Sequence, residues 1–272
     1  MPELPEITVL ARQMKQELVG KTLASIEVLQ PKCLNLPSFA FVEALSGARW
    51  LDVTQRGKWL VSETSRGWLL LSLGMGGEIL LRTRDSLPEK RRIIFDLADG
   101  AALTVNFWWF GYAHYTPPGK LASHKMIARL GPNALDVSAG DLKAMLGRRR
   151  GAIKAFLLDQ SKLAGIGNFY VHDILFRAGL HPLRTIDTLA EAEIERLAGA
   201  IHDGLQLAVD KGGSFYELDL YGQKGHFTLD DVLVGYKEGQ PCPACGTPIE
   251  KVKTGSTSSF ICPRCQPLEL AG

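Results

Sequence analysis

Residues 50–83 read WLDVTQRGKWLVSETSRGWLLLSLGMGGEILLRT. Four short apolar runs lie in this stretch: Trp50 to Val53, Trp59 to Ser62, Trp68 to Leu73 and Ile79 to Arg82. Turn residues part them, Arg66-Gly67 and Gly76-Gly77 among them, and punctuation at this spacing marks short strands. The pattern continues outward. Thr22 to Val28 precedes it, and Ile93 to Leu97 and Ala102 to Val105 follow, with Asp99-Gly100 between the last two. Seven or so strands in one part of the chain predict a β-sandwich or barrel. A helix leads into them: between Ile7 and Leu18, the residues Val9, Leu10, Met14 and Leu18 recur at roughly helical spacing.

The pattern changes near Thr116-Pro117-Pro118-Gly119. From about Asp136 to Lys211 the strands stop, and four helices are predicted at Leu142 to Leu146, Ile153 to Leu158, Tyr170 to Ala178 and Leu189 to Asp210. Gly165-Ile166-Gly167-Asn168 separates the second from the third, and Gly179-Leu180-His181-Pro182 ends the third. Gly212 to Gly239 reads as a long loop. The fold class is therefore α+β and multidomain: an N-terminal β-sandwich with a leading helix over 1–118, a linker over 119–135, a helical domain over 136–239 and a cysteine-bearing segment over 240–267.

Composition narrows the classes. The chain has 272 residues, 46% hydrophobic and 22% charged, which excludes collagen-like, coiled-coil and largely disordered chains. Its best apolar run, Trp68 to Leu81, is broken by Ser72, three glycines and Glu78, too much for a membrane span. Glu3 and Glu6 at the start do not suit a signal peptide, and a cytoplasmic location is expected. Net charge is +2, from 31 basic and 29 acidic residues, so a nucleic-acid partner must be met by local basic patches.

Four of the five cysteines fall in Cys242-Pro-Ala-Cys245 and Cys262-Pro-Arg-Cys265, two knuckles with sixteen residues between them. Four thiolates close a tetrahedral zinc site with no open position, so the ion expected is structural. Lys251-Val252-Lys253 and Ser259-Phe260-Ile261 suggest a hairpin between the knuckles, a zinc ribbon. A pair of redox dithiols is the alternative, and the ribbon spacing disfavours it. Some thirty residues cannot build a large core, so the metal should supply much of the segment's folding energy. Cys33 is left as a spare thiol.

The chain begins Met1-Pro2-Glu3-Leu4-Pro5-Glu6. Removal of Met1 would expose the secondary amine of Pro2. A free α-amine titrates near ~8, so a neutral fraction is present at physiological pH. Attack of such an amine on a sugar carbon gives an iminium, an electron sink, and Glu3 beside it could move protons. By itself the fragment is equally compatible with a proline that only starts a helix.

Distant segments change that weighting. Met1-Pro-Glu-Leu-Pro-Glu6, Gln55-Arg-Gly-Lys58, Leu73-Gly-Met-Gly-Gly77, Gly165-Ile-Gly-Asn-Phe-Tyr170, Ala178-Gly-Leu-His-Pro182 and Cys262-Pro-Arg-Cys-Gln266 occur in this order. In that order the chain resembles the formamidopyrimidine-DNA glycosylase and endonuclease VIII family of bacterial base-excision repair enzymes, from Pro2 to Gln266, and more closely its formamidopyrimidine branch. The resemblance implies a helix–two-turn–helix domain with a lesion-capping loop over 136–239, and damaged double-stranded DNA in a cleft between the halves of a monomer. It implies Pro2 as the nucleophile at C1′, Glu3 as the general acid/base that opens the sugar, and Glu6 as its support. Lys58 and Asn168 would each meet a backbone phosphate, with Lys154 matching a further family lysine. Met75, Trp109 and Phe110 fall where the family fills the gap left by an extruded nucleotide.

The chain departs from the family in four places. Ser72 stands for the histidine before Leu-Gly-Met. The family's Arg-Arg-Phe-Gly reads Trp108-Trp109-Phe110-Gly111, without the arginine that pairs with the orphaned base. Thr257 replaces the hairpin arginine five residues before Cys262. The acid of Tyr-Ala-Asp stands at Asp173, behind His172. Each lost charge-assisted phosphate contact costs roughly 1.5–3 kcal/mol. The expectation is a bifunctional glycosylase and lyase with altered lesion or opposite-base preference. Phe215, Tyr216 and Tyr221 in the capping loop would then line a different pocket. Three points have a second reading. Trp108 and Trp109 could be core residues of a strand, Arg148-Arg149-Arg150 either lines the cleft or is a solvated face, and the whole chain could bind damaged DNA with little turnover. A zinc-ribbon protein working on RNA explains the cysteines but not Pro2, Lys58 or Asn168.

Overall fold

The computed structural model describes residues 1–268. Helix α1 (Leu4–Leu18) comes first, and it starts three residues earlier than the apolar spacing predicts. Glu3 is its N-cap, and a capping box joins Glu3 and Glu6: each side chain accepts the other residue's backbone N–H. Two carboxylates thus sit at the positive end of the helix dipole.

Eight strands follow: β1 (Leu23–Val28), β2 (Trp50–Arg56), β3 (Trp59–Thr64), β4 (Gly67–Ser72), β5 (Glu78–Thr83), β6 (Ile93–Leu97), β7 (Ala101–Asn106) and β8 (Tyr112–Thr116). They form two antiparallel sheets of four, ordered β1-β6-β7-β5 and β2-β3-β4-β8. One apolar core serves both. Ile26, Ile93, Phe95, Leu103 and Val105 come to it from the first sheet, Val53, Leu60, Leu69 and Leu71 from the second, and Ile7, Leu10, Met14 and Leu18 from α1. Period-two alternation turns these side chains inward. Helix α2 (Ser38–Leu45) adds Phe41 and Leu45 to the core. Sequence reasoning expects neither α2 nor β8. The first is a short helix, and the second is disguised by Tyr112, His114 and Tyr115.

By contact density the described chain divides into residues 1–129 with 208–226 and residues 130–207 with 227–268. The segment 208–226, expected with the helical domain, groups with the sandwich, and the reason is local. Leu220 is fully buried in the sandwich core. Its N–H donates to Gln13 Oε1 (2.9 Å), and its carbonyl accepts from Leu81 N (2.9 Å).

The second unit carries α3 (Ala139–Leu146), α4 (Ile153–Leu158), α5 (Val171–Ala178) and most of α6 (Glu191–Asp210). Ser138 caps α3 through Asp141 N (3.1 Å), and Gly179 closes α5 in the left-handed conformation at φ 68°. Residues 211–249 contain no helix or strand. The hairpin β9 (Glu250–Thr254) and β10 (Thr257–Ile261) follows, paired from Thr254–Thr257 to Glu250–Ile261. No helix among the described residues is long and apolar enough to cross a membrane.

Candidate active site

The start of α1 sets the first group of residues. Pro2, Glu3 and Glu6 are all buried. Glu6 Oε2 accepts from Glu3 N (2.8 Å), and Glu6 Oε1 accepts from Ser214 N (3.0 Å). Glu6 therefore ties the helix entry to the 212–225 loop. Gly213, at φ 90°, allows this closeness, since a Cβ there would stand 3.2 Å from Glu6 Cγ. The amino group of Met1 lies 3.1 Å from Glu217 of the same loop. Further along, Gln13 bonds Asp219 (2.9 Å), and Tyr221 donates to Glu17 (2.8 Å). The loop is thus laid along α1 by residues about 200 positions away in sequence. Sequence reasoning does not reach Ser214, Glu217 or Asp219, because nothing local marks them.

Lys58 stands on the turn between β2 and β3, after Gly57 at φ 57°, and is half-buried. Met75 and the 108–110 tip meet through two backbone bonds, Met75 N to Trp109 O (2.9 Å) and Trp108 N to Met75 O (3.1 Å). Trp108, Trp109 and Phe110 are 60%, 66% and 69% exposed. Of the two readings of the tryptophans, the one that makes them strand-core residues does not hold.

In the second unit, Asn168 follows the Gly165-Ile166-Gly167 loop. Gln160 holds that loop, accepting from Gly165 N (2.9 Å) and donating to Ile166 O (2.8 Å). Asn168 Oδ1 is buried with no hydrogen-bond partner. Five residues on, Asp173 accepts from Leu233 N (2.7 Å), Val234 N (2.9 Å) and Gly235 N (3.0 Å), which makes it a fastener for the 233–235 turn. His172 is buried, with neither ring nitrogen bonded, and burial holds its pKa down at about 3.

Lys154, expected to face DNA, is only 2% exposed. Its ammonium is spent inside the protein, donating to Ser258 O (2.8 Å), Ser259 Oγ (2.8 Å), Thr257 Oγ1 (3.0 Å) and Thr254 Oγ1 (3.2 Å). It fixes the hairpin turn from α4, and desolvation lowers its pKa to about 8. Arg148, Arg149 and Arg150 are exposed; Arg149 Nε donates to Met145 O (2.9 Å), and Arg150 lies 3.8 Å from Asp187. Cys33 is buried and bonds Gln30 O (3.0 Å), and its pKa is pushed up to about 11, so it is an inert thiol.

The remaining four cysteines converge. Their sulfurs lie within 4.8 Å of one another, with separations of 3.4 Å (Cys245–Cys262), 3.5 Å (Cys245–Cys265) and 3.8 Å (Cys242–Cys265). Zn–S bonds of ~2.3 Å in a tetrahedron require sulfurs ~3.8 Å apart, so the donor set fits a structural zinc. Backbone N–H groups of Ala244 and Cys265 point at sulfurs (3.4 Å each). Gln266 anchors the knuckle, accepting from Cys262 N (3.1 Å) and donating to Leu180 O (2.8 Å). Bound there, the ion supplies cross-linking, and the hairpin is carried on it.

Comparison with known proteins agrees along the whole length. Residues 1–106 match the Formamidopyrimidine-DNA glycosylase N-terminal domain, 130–218 the Formamidopyrimidine-DNA glycosylase H2TH domain, and 239–268 the zinc finger found in FPG and IleRS. The chain is 36% identical to the formamidopyrimidine-DNA glycosylase of Pelotomaculum thermopropionicum, over 99% of this chain and 100% of that one. It is 33% identical to that of Bacillus subtilis, over 98% and 99%. Among solved structures, Lactococcus lactis Fpg in complex with DNA containing an abasic site superposes with a TM-score of 0.90 at 28% identity, covering 97% of this chain and 99% of that one. The same enzyme with DNA containing N7-benzyl-Fapy-dG also gives 0.90, at 29% identity over 98% and 100%.

Proposed function

The chain belongs to the formamidopyrimidine-DNA glycosylase family, and from that premise we propose that it excises oxidised or ring-opened bases and then nicks the strand as a lyase. The observation that carries this reading is the buried Pro2-Glu3-Glu6 group at the start of α1. With Met1 removed, the Pro2 amine attacks C1′ as the bond to the damaged base breaks and the base leaves with a proton. Glu3 protonates the ring oxygen, the sugar opens, and an iminium joins Pro2 to C1′. The iminium acidifies C2′, loss of that proton expels the 3′ phosphate, and a second elimination expels the 5′ phosphate. Glu6 acts through Glu3, fixing its backbone.

Lys58 and Asn168 are assigned to phosphates, Lys58 through its ammonium and Asn168 through its side-chain amide N–H groups. Met75, Trp109 and Phe110 are assigned to the gap left by the extruded nucleotide, whose unstacking costs a few kcal/mol. The replaced arginines favour an altered lesion preference. Lys154 acts indirectly, through the hairpin. The protein works as a monomer on damaged double-stranded DNA, in the cytoplasm where the chromosome lies.

Borohydride trapping on an abasic duplex tests the reading. Met1-processed protein should form a covalent adduct, and Pro2→Gly should abolish it. Tight lesion binding by the wild type with no adduct would replace the enzyme with a damage-binding protein.

A further inference from the structure

Three large aromatic side chains in a row, Trp108, Trp109 and Phe110, face solvent on one turn. Exposing three such side chains together forgoes the hydrophobic stabilisation that covering them would bring, and a patch of this kind marks a binding surface. The backbone beneath is built for this display. Phe110 adopts φ 57°, an uncommon conformation for a residue with a side chain. Gly74 and Gly111 let the strands close: a Cβ on Gly74 would fall 2.1 Å from Trp109 O, and one on Gly111 would fall 2.1 Å from Phe107 Cγ. The tip is therefore held in one shape by its base.

A pocket of about 380 Å³ opens beside Trp108. Lys90, Arg91, Arg92, Asn106 and Glu89 line it with that tryptophan, three cations to one carboxylate. Lys90 Nζ stands 5.6 Å from the Trp108 ring centroid, and it makes no ion pair among the described residues. Arg91 is turned to its own loop, donating from one guanidinium nitrogen to Pro88 O (2.8 Å) and Glu89 O (3.4 Å). Arg92 is spent locally, with Nε on Phe107 O. A π-face beside the uncommitted Lys90 ammonium suits an unpaired nucleotide, with its ring on the indole and its phosphate on Lys90.

We infer that the 108–110 tip and this pocket form a stacking platform for an unpaired nucleobase in DNA, and that it holds the four bases alike. Stacking uses the π-face common to every base. None of the three tip side chains reads an edge: two carry a single indole N–H, and the third carries no polar atom. The inference rests on the glycosylase reading only for the choice of DNA as the polymer.

The test uses Met1-processed full chain with its zinc and duplexes carrying a tetrahydrofuran abasic analogue opposite A, C, G, T or 2-aminopurine. The four natural bases should give Kd values within fivefold of one another, and 2-aminopurine emission should fall on binding. Trp108→Ala with Trp109→Ala should weaken binding about tenfold and restore the emission, while the paired phenylalanine substitutions keep both. Lys90→Ala should reduce the slope of log Kd against log salt by about 0.9. A spread beyond fivefold among the opposite bases overturns the platform, as does a double alanine variant that binds and quenches like wild type. Borohydride trapping on a true abasic duplex, run in parallel, separates the two readings. Trapping with strong base discrimination removes the platform and keeps the glycosylase. Quenching without trapping does the reverse.

Discussion

The sandwich and the cysteine hairpin are both built on antiparallel strands, yet they are held together by different means. The sandwich closes over a core of some two dozen buried apolar residues from two sheets and two helices. The hairpin's own cluster is Val234, Cys242, Ile249, Phe260 and Cys262, and two of those five are metal ligands. Two strands alone are marginal in water. What the hairpin lacks in apolar area is made up by four thiolates, the buried Lys154 ammonium and the Gln266 anchor. Apolar packing spreads its stabilisation over many side chains, whereas the hairpin's is concentrated at one ion.

Removing that ion is the strongest way to break the comparison. Structural zinc contributes roughly 10–16 kcal/mol in finger-sized segments. Chelation, or Cys262→Ser, should therefore strip amide-exchange protection from 250–261 and leave 93–105 protected. Loss of protection in both regions together would mean that the sandwich also depends on the metal. The converse variant is Phe95→Ala, which opens a cavity in the sandwich and should cost about 3–5 kcal/mol in denaturant unfolding. Stoichiometric zinc should remain bound to that variant under native conditions.

Lys154→Met sharpens the comparison from inside the hairpin. It leaves Thr254, Thr257, Ser258 and Ser259 without their shared donor, at about 1–3 kcal/mol, and zinc should pass to a chelator faster. The wild type should also show a pH dependence that this variant lacks. Lys154 titrates near 10.5 when unfolded and at about 8 when folded, so between those values the unfolded chain binds more protons. Stability then rises with pH from about 8 to 10.5 in the wild type.

His172→Phe should have the smallest effect, and a favourable one. The ring packs edge-on against Phe260 at 5.3 Å, with both nitrogens unbonded. Its folded pKa of about 3 lies below the unfolded 6.5, so the unfolded state takes up the proton first as pH falls. Stability is lost through that window, and the phenylalanine variant should flatten the loss and gain about 1–2 kcal/mol at pH 5, read by thermal melting.

Much of this was legible in sequence. The strands from Leu23 to Asn106 are legible, to within three residues at either end, because each holds a short apolar run closed by its own turn. The four zinc ligands were legible because spacing within a knuckle is local. Strand β8 was not, since its outer face is a polar-looking aromatic cluster. Trp59 stacks on Tyr112 at 5.8 Å, and His114 Nδ1 meets His124 Nε2 at 3.0 Å, a pairing invisible in composition.

By itself the sequence determined the class of fold, the order of its parts, the metal donors and the ordered motifs that place the chain in its family. Each of these is a matter of residue type at short range. Only the tertiary structure decided that Lys154 points inward to the hairpin, that Leu220 returns the 208–226 segment to the sandwich, and that Trp108 and its neighbours stand in solvent. Each depends on which distant groups reach a side chain first. Burial and hydrogen bonding over some hundred or two hundred positions settle that, and no local pattern records it.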